Sequence, residues 1–177
     1  KNFTNINISA IACPCLAGEL AMKKHSSVVI TNENLKTAQW LSNLLSTEYY
    51  HTFLSDDVNG VEICAAIKNI FSIAIGSAKG LNNNKNYLNT SAALFTQSVV
   101  EMELFVTMLK GKKETVKGLA GIGDLHVSAA GGRNSMLGSY LGAGLLYSEV
   151  KQKEMKDITV EGAELSFEIF ELVKNKF

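Results

Sequence analysis

Lys68 is the residue best suited to acid–base chemistry, because it lies in a segment that has hardly any other charge. It is the only charged residue between Glu62 and Lys79, and it is flanked by apolar side chains at helical spacing. Removing an ammonium from water is costly, so a lysine in such a helix needs a partner or a task. Burial favours the neutral amine, the form that accepts a proton in catalysis. The alternative is a lysine that extends along the helix edge and keeps its amine in water.

A second group of polar residues lies in a glycine-rich stretch. Residues 118–124 read GLAGIGD, and they are followed by Ser128 and by the sequence GGRN at 131–134. Polar side chains among glycines can converge on one ligand, and the fork of Arg133 suits a phosphate group. We predict that Arg133 lies at the start of a helix, where an anion is favoured. The alternative is a capped loop in which Asp124 and Asn134 only satisfy backbone donors.

The sequence contains no complete nucleotide-binding or metal-binding motif. Neither a GxGxxG between a strand and a helix nor a GxxxxGK[ST] loop occurs, so these residues alone should not hold a dinucleotide firmly. The three cysteines, Cys13, Cys15 and Cys64, are an odd number without regular spacing, which favours a reducing compartment over a disulfide framework. Cys13-Pro14-Cys15 could bind a metal or react as a thiol pair. Since no second cysteine pair or histidine cluster completes a site, we expect no metal.

The overall composition excludes some partners. Lys and Arg together number 17, as do Asp and Glu, and this zero net charge gives no reason to expect nucleic acid or a membrane surface as a partner. The chain is 46% hydrophobic and 19% charged, which is typical of a globular protein with a real core. We find neither a stretch typical of a membrane span nor the organisation of a signal peptide, so we expect a cytoplasmic protein.

The first part of the chain alternates between strand and helix patterns. We predict strands at 6–12, 28–31 and 49–54, and helices at 16–24 and 35–45, the second capped by Thr31 or Asn32. This alternation is typical of the edge of an α/β sheet. It is too short for a sheet domain of its own, so we expect that the chain begins inside one.

The pattern becomes helical after Ser55. The sequence SDD at 55–57 signals a helix start, and we predict long helices at 58–80 and 87–110, the first of them buried. The stretch 118–144 holds eight of the fourteen glycines, so we expect special backbone turns there. A final helix is predicted to bury one apolar face, formed by Val160, Ala163, Phe167 and Phe170. We therefore predict two domains, 1–55 and 56–177.

Four segments in the second domain carry a resemblance to a known family. They are VEICAAIKN at 61–69, GLAGIGDL at 118–125, GGRN at 131–134 and VEG at 160–162. They resemble, in order, the VELxGALKN, GLAGxGDL, GGRN and VEG-type segments of NAD-dependent glycerol-3-phosphate dehydrogenases. Each segment is weak alone, but the ordered set is highly specific. The resemblance implies a mainly α fold: an all-helical domain of the 6-phosphogluconate dehydrogenase C-terminal type, preceded by the last α/β elements of a Rossmann-type domain.

The resemblance also implies an activity and a site. The family interconverts glycerol 3-phosphate and dihydroxyacetone phosphate by hydride transfer with NAD or NADP, and Lys68 aligns with its general acid/base lysine. Residues aligned with the substrate-binding positions are Asn69, Asp124, Ser128, Arg133 and Asn134. Residues aligned with cofactor contacts are Ala17, Arg133, Thr159 and Glu161. The family further implies a homodimer, a small phosphate-ester substrate, and a place in carbohydrate metabolism and phospholipid biosynthesis.

The sequence departs from the family pattern at four positions. Cys13 and Cys15 replace a glycine and a serine that approach the substrate phosphate in bacterial members, Ser91 replaces a lysine, and Thr96 replaces an arginine. These changes keep open the alternative of a non-catalytic helical module for dimerisation or binding. A related dehydrogenase that acts on another small hydroxy acid is the other alternative. Because the nucleotide-binding fingerprint is missing, we expect a fragment that is inactive alone.

Overall fold

The computed structural model describes residues 7–12, 14–83, 85 and 87–176. The chain divides into two compact units, the first made of Lys1–Ala65 and Glu103–Asp124 and the second of Ala66–Met102 and Leu125–Phe177. These units are groups of residues in mutual contact, whereas the predicted domains were divided by a change of sequence pattern. The domain boundary near Ser55 therefore stays a prediction.

The first unit contains a three-stranded sheet. Strand β1 (Ala10–Ala12) pairs antiparallel with β2 (Ser26–Thr31), which pairs in parallel with β3 (Tyr50–Ser55). The central strand β2 is the most buried, with Val28 and Ile30 fully inaccessible, as expected for β-branched residues in the middle of a sheet. Helices α1 (Ala17–Ala21) and α2 (Leu35–Leu45) connect the strands, so the predicted α/β alternation is confirmed.

The start of α2 corrects one detail of the sequence prediction. Its N-cap is Asn34, whose side-chain oxygen accepts a hydrogen bond from the Lys36 amide at 3.0 Å. Asn32 acts one step earlier, accepting from the Asn34 amide at 2.7 Å and thereby shaping the turn that leads to the cap. The prediction of Thr31 or Asn32 as the cap was wrong because several capping residue types follow one another here, and spacing alone cannot choose among them.

Helices dominate the rest of the chain, which confirms the mainly α fold. The long helices are α3 (Val58–Leu81) and α4 (Leu88–Met108). A 3₁₀ turn (Lys113–Lys117) and a π-helical turn (Leu119–Gly123) follow. The chain continues through α5 (Asp124–Gly131), α6 (Arg133–Gly142), α7 (Tyr147–Gln152), α8 (Glu161–Glu168) and α9 (Phe170–Lys176). The core of the second unit is built on Leu137, Val150, Met155, Val160 and Ala163.

Glycines let α3 and α6 approach each other closely in the second unit. A Cβ atom on Gly138 would lie 2.0 Å from the Ile73 carbonyl oxygen, and one on Gly142 would lie 2.1 Å from that of Ser77. The special backbone turns expected in 118–144 occur at the π-helical turn Leu119–Gly123 and at Gly144, whereas Gly138 and Gly142 lie in α6 and allow close packing. Among the glycines that the structure describes, Gly144 alone has a positive φ, +92°.

Two further features of the helices differ from expectation. Val160 and Ala163 are buried, but Phe167, near the end of α8, and Phe170, the first residue of α9, are 70% and 58% exposed, so only the first part of the predicted apolar face is buried. The helix Val58–Leu81 is also long and apolar enough, by length and composition, to cross a membrane, with 44% of its most apolar window buried inside the protein. Core helices of soluble proteins can be equally long and apolar, so length and composition alone are weak evidence for a membrane span.

Candidate functional site

Lys68 and Asn69 lie side by side in the part of α3 that belongs to the second unit, and both are half-buried. The main-chain oxygen of Lys68 accepts a hydrogen bond from the hydroxyl of Ser72 at 2.8 Å. Ser72 is fully buried, and this bond to the helix backbone gives its hydroxyl a hydrogen-bond partner.

The side chain of Asn134 connects three helices of the second unit. It is 6% exposed, and its Nδ2 donates to Oδ1 of Asn69 at 3.0 Å. Its own Oδ1 accepts from the backbone N–H of Gly162 at 2.9 Å. Asn134 is the second residue of α6 and Gly162 the second residue of α8, so the amide joins α3, α6 and the start of α8.

Gly162 is required by the closeness of this contact. A Cβ atom at this position would lie 2.4 Å from the main-chain oxygen of Asn69 and 2.8 Å from Oδ1 of Asn134. Real Cβ atoms do not approach backbone atoms so closely, and neither neighbour can withdraw without breaking a helix or a buried hydrogen bond. The sequence prediction named Gly162 only as part of a motif and assigned it no place in the site. A backbone contact of this kind leaves no pattern in the sequence other than the glycine itself.

Arg133 and Glu161 form an ion pair between the first residues of α6 and α8. Their side chains are 57% and 43% exposed. The acid lies in the first turn of its helix, where the helix dipole stabilises negative charge. The arginine lies at the N-terminus of α6, a place where backbone N–H groups favour an anion, as predicted.

The remaining predicted residues are distributed over both units. Ser128, on α5, is half-buried, and Thr159, just before α8, is exposed; both belong to the second unit. Ala17, at the exposed start of α1, and Asp124, the buried first residue of α5, belong to the first unit. Within the second unit the structure thus brings together Asn69 with Asn134, and Arg133 with Glu161.

The positions that depart from the family pattern have ordinary surroundings. Thr96 is exposed, and its hydroxyl donates to the Ala92 carbonyl at 2.9 Å. Ser91 lines a cavity of about 360 Å³ in the second unit, together with Lys79 and Tyr87. Cys15 is half-buried, and Cys13 lies outside the described residues.

Two further groups of the first unit, Cys64 and Asp57, are buried. Burial raises the pKa of the Cys64 thiol to about 12, and the negative charges of Asp57 and Asp124 add to this effect. Asp57 caps α3, since its Oδ1 accepts from the Gly60 amide at 3.0 Å. Its Oδ2 accepts from the Lys112 amide at 2.9 Å and from the Thr115 hydroxyl at 2.5 Å. The predicted helix start is confirmed, but the long-range role of its carboxylate could not be read from local sequence.

Comparison with solved structures defines the class of protein to which this fold belongs. The glycerol-3-phosphate dehydrogenase of Coxiella burnetii matches with a TM-score of 0.82 and 32% identity, covering 94% of this chain and 50% of that one. The yeast enzyme matches with a TM-score of 0.84 and 25% identity, covering 96% and 51%. The class is thus the dehydrogenases that carry a helical domain of this kind.

Sequence comparison gives the family. The family model described as the C-terminus of NAD-dependent glycerol-3-phosphate dehydrogenase matches residues 57–177, and the chain belongs to that family. An NADP(+)-dependent glycerol-3-phosphate dehydrogenase from Archaeoglobus fulgidus is 36% identical over 146 residues, which are 81% of this chain and 44% of the relative. A glycerol-3-phosphate dehydrogenase [NAD(P)+] from Clostridium botulinum is 32% identical over 174 residues, 97% of this chain and 51% of the relative. The chain therefore spans about half the length of these relatives.

Proposed function

We propose that the protein containing this chain is an oxidoreductase that interconverts glycerol 3-phosphate and dihydroxyacetone phosphate with NAD or NADP. Family membership supports this proposal, as does the side-chain arrangement at the starts of α6 and α8. The observation that carries it is the buried link from Asn69 through Asn134 to Gly162, next to Arg133. Three of the four family-like segments meet there, which a set of chance matches would not produce.

The chain's own residues supply proton transfer and phosphate binding in this proposal. Lys68 takes the proton from the C2 hydroxyl of glycerol 3-phosphate as the hydride leaves, and returns it in the reverse direction. Arg133 binds the phosphate group through its guanidinium, whose planar fork matches phosphate oxygens. Asn69, Asp124, Ser128 and Asn134 are assigned to orienting the substrate or the groups that bind it.

The nicotinamide cofactor accepts or delivers the hydride when it is bound. The residues assigned to its contacts fit that role in one respect, since Ala17, Thr159 and Arg133 are exposed and accessible to a ligand. Ala17 belongs to the first unit, whereas Thr159 and Arg133 belong to the second. Because the sequence has no glycine-rich dinucleotide motif, these residues alone should not hold the cofactor firmly.

The test is turnover. The protein that contains this chain is expected to oxidise NADH or NADPH when dihydroxyacetone phosphate is added, and the loss of absorbance at the nicotinamide band measures the rate. Lactaldehyde or hydroxypyruvate in place of dihydroxyacetone phosphate tests the alternative of another small hydroxy acid. Absence of turnover with every substrate and both cofactors would favour the non-catalytic helical module.

An Arg133→Ala variant separates phosphate binding from folding. We expect its KM for dihydroxyacetone phosphate to rise with a smaller change in kcat, because a uniform binding contact is removed. Glu164→Ala, at an exposed position of α8, is the control. An unchanged KM would show that Arg133 has only a structural role.

We further propose that the protein is a cytoplasmic homodimer that supplies glycerol 3-phosphate for phospholipid biosynthesis. Family membership is the support for these points. Sedimentation equilibrium of the purified protein tests the dimer, since a mass equal to one polypeptide at micromolar concentration would contradict it.

A further inference from the structure

Asn134 belongs to the family's phosphate-binding pair by resemblance, but the structure gives its side chain two protein partners instead. Its amide oxygen accepts from the Gly162 N–H at 2.9 Å, and its amide nitrogen donates to Asn69 Oδ1 at 3.0 Å. With 6% exposure, the side chain is nine-tenths buried, and both ends of the amide are engaged. We propose that Asn134 is a positioning residue, which fixes the orientation of the Asn69 amide so that its NH₂ group is the end directed to the substrate. This inference rests on the proposed function.

The direction of both amides follows from one backbone group. The oxygen and nitrogen of an asparagine amide are nearly interchangeable in shape, so their assignment has to come from the partners. A backbone N–H can only donate, and therefore the Gly162 N–H requires the oxygen of Asn134 on its side. The nitrogen of Asn134 must then face Asn69, which in turn must present its oxygen. These two hydrogen bonds, from Gly162 to Asn134 and from Asn134 to Asn69, form a relay. The relay allows the Asn69 amide only one orientation.

The same contact caps α8. The first N–H groups of a helix have no partner within the helix, and a capping side chain commonly accepts from one of them. Val160, the N-cap residue of α8, provides no side-chain hydrogen bond. Asn134 accepts from the N–H of the second residue of α8 and so performs this task from another helix. The start of α8, where Glu161 pairs with Arg133, is therefore fixed relative to Asn69.

Gly162 keeps the relay short. Its backbone packs against the main chain of Asn69, where a Cβ atom would lie 2.4 Å from the Asn69 oxygen. Any side chain at this position must push α8 away from α3 and lengthen both hydrogen bonds of Asn134. The glycine therefore contributes to positioning through its small size as well as through its N–H.

An Asn134→Asp substitution tests the proposal with almost no change of shape. The carboxylate still accepts from the Gly162 N–H, and a negative charge at the start of α8 suits the helix dipole, so the cap is retained. The carboxylate cannot donate a hydrogen bond to Asn69. The Asn69 amide must therefore turn, so that its NH₂ group faces the carboxylate. We expect kcat for dihydroxyacetone phosphate reduction to fall about tenfold to a hundredfold, the range for misplacing a group near the reacting atoms. Asn43→Asp, an exposed change on α2 with the same charge, is the control and should leave kcat unchanged.

A double-mutant cycle separates positioning from direct contact. The new charge could also repel the substrate phosphate, but that effect persists when Asn69 is replaced by alanine, whereas an effect transmitted through Asn69 disappears. We expect Asn134→Asp to change kcat less than twofold in the Asn69→Ala background. A full additional loss in that background would overturn the proposal and indicate that Asn134 contacts substrate itself.

A measurement without turnover keeps the inference independent of the proposed reaction. In ¹⁵N-labelled protein, one NH₂ proton of Asn69 should move downfield in Asn134→Asp, because it then donates to a carboxylate. Unchanged Asn69 side-chain resonances would refute the relay even in an active enzyme. If the wild-type protein shows no turnover but the resonance moves, the relay is confirmed and only the proposed reaction fails.

Discussion

The guanidinium of Arg133 donates to the carboxylate of Glu161, so the cation assigned to the substrate phosphate already has an anionic partner. Both residues are the first of their helices, α6 and α8. A phosphate that approaches Arg133 therefore meets the negative charge of Glu161 and competes with it for the Nη2 donor. The affinity for the anion depends on the difference between the two interactions, and the strength of the ion pair alone does not determine it.

Replacing Glu161 by glutamine should strengthen phosphate binding. Both side chains are well exposed, and exposed ion pairs contribute only about 0.2 to 1 kcal/mol, so we expect the Kd for glycerol 3-phosphate to fall by about twofold to fivefold. Isothermal titration at low and high salt measures the change, and the gain should shrink at high salt. Glu164→Gln, on the same helix, is the matched control. Weaker binding in Glu161→Gln would mean that Glu161 orients Arg133 for the phosphate.

Replacing Lys68 by alanine should abolish most of the turnover. General acid/base groups contribute at least about a hundredfold to rate, and the proposed proton transfer has no other donor assigned to it. Steady-state kinetics with dihydroxyacetone phosphate should therefore show that loss in kcat, with a smaller change in KM. Lys79→Ala, an exposed lysine further along α3, is the control. Full activity in Lys68→Ala would show that Lys68 is not the general acid/base.

The strands and long helices could be predicted from sequence because each is determined by its own residues. The apolar spacing of α2 predicted the observed range, Leu35–Leu45, and the SDD sequence at 55–57 signalled the start of α3, where the structure shows Asp57 as the cap. The glycines of α6 could not be interpreted in this way. Gly138 and Gly142 provide close contact with α3, and a glycine that permits helix packing looks the same in sequence as a glycine in a turn.

The candidate site shows the same division. The family-like segments identified Asn69, Arg133, Asn134 and Glu161, which the structure places in two bonded pairs. The connection through Gly162 was not predicted, since it depends on how α8 packs on α3. Contacts between residues far apart in the chain depend on the tertiary packing, which local patterns do not specify.

Removing the Asp57 carboxylate should destabilise the first unit. Its two oxygens accept from the Gly60 amide, the Lys112 amide and the Thr115 hydroxyl, and the residue is 6% exposed. Asp57→Ala leaves these donors without acceptors in a buried place, and we expect the free energy of unfolding to fall by roughly 2 to 4 kcal/mol. Urea unfolding followed by circular dichroism measures it.

The neighbouring acid provides a matched control for that experiment. Asp56 pairs with Lys112 at 2.7 Å on the surface, with a side chain 51% exposed. The hydrogen bond from Lys112 lowers the pKa of Asp56 below 3.8, so any stabilisation is present at neutral pH and is lost as the pH falls through the lowered value. Asp56→Ala should shift the urea midpoint little. Equal shifts for both variants would contradict the buried role of Asp57.

Cys64 should resist alkylation in the folded protein. Its thiol is fully buried, and its pKa is raised from 9.0 to about 12, chiefly by that burial and then by the charges of Asp57 and Asp124. At pH 8 the reactive thiolate is then about a thousandfold rarer than for an ordinary cysteine. Iodoacetamide labelling followed by peptide mass spectrometry should modify the half-buried Cys15 first, and Cys64 only after urea is added. Because the folded pKa is the higher one, stability should also fall as the pH rises from about 9 to about 12. Equal labelling rates for Cys64 in native and urea-unfolded protein would show that this part of the first unit opens readily to solvent.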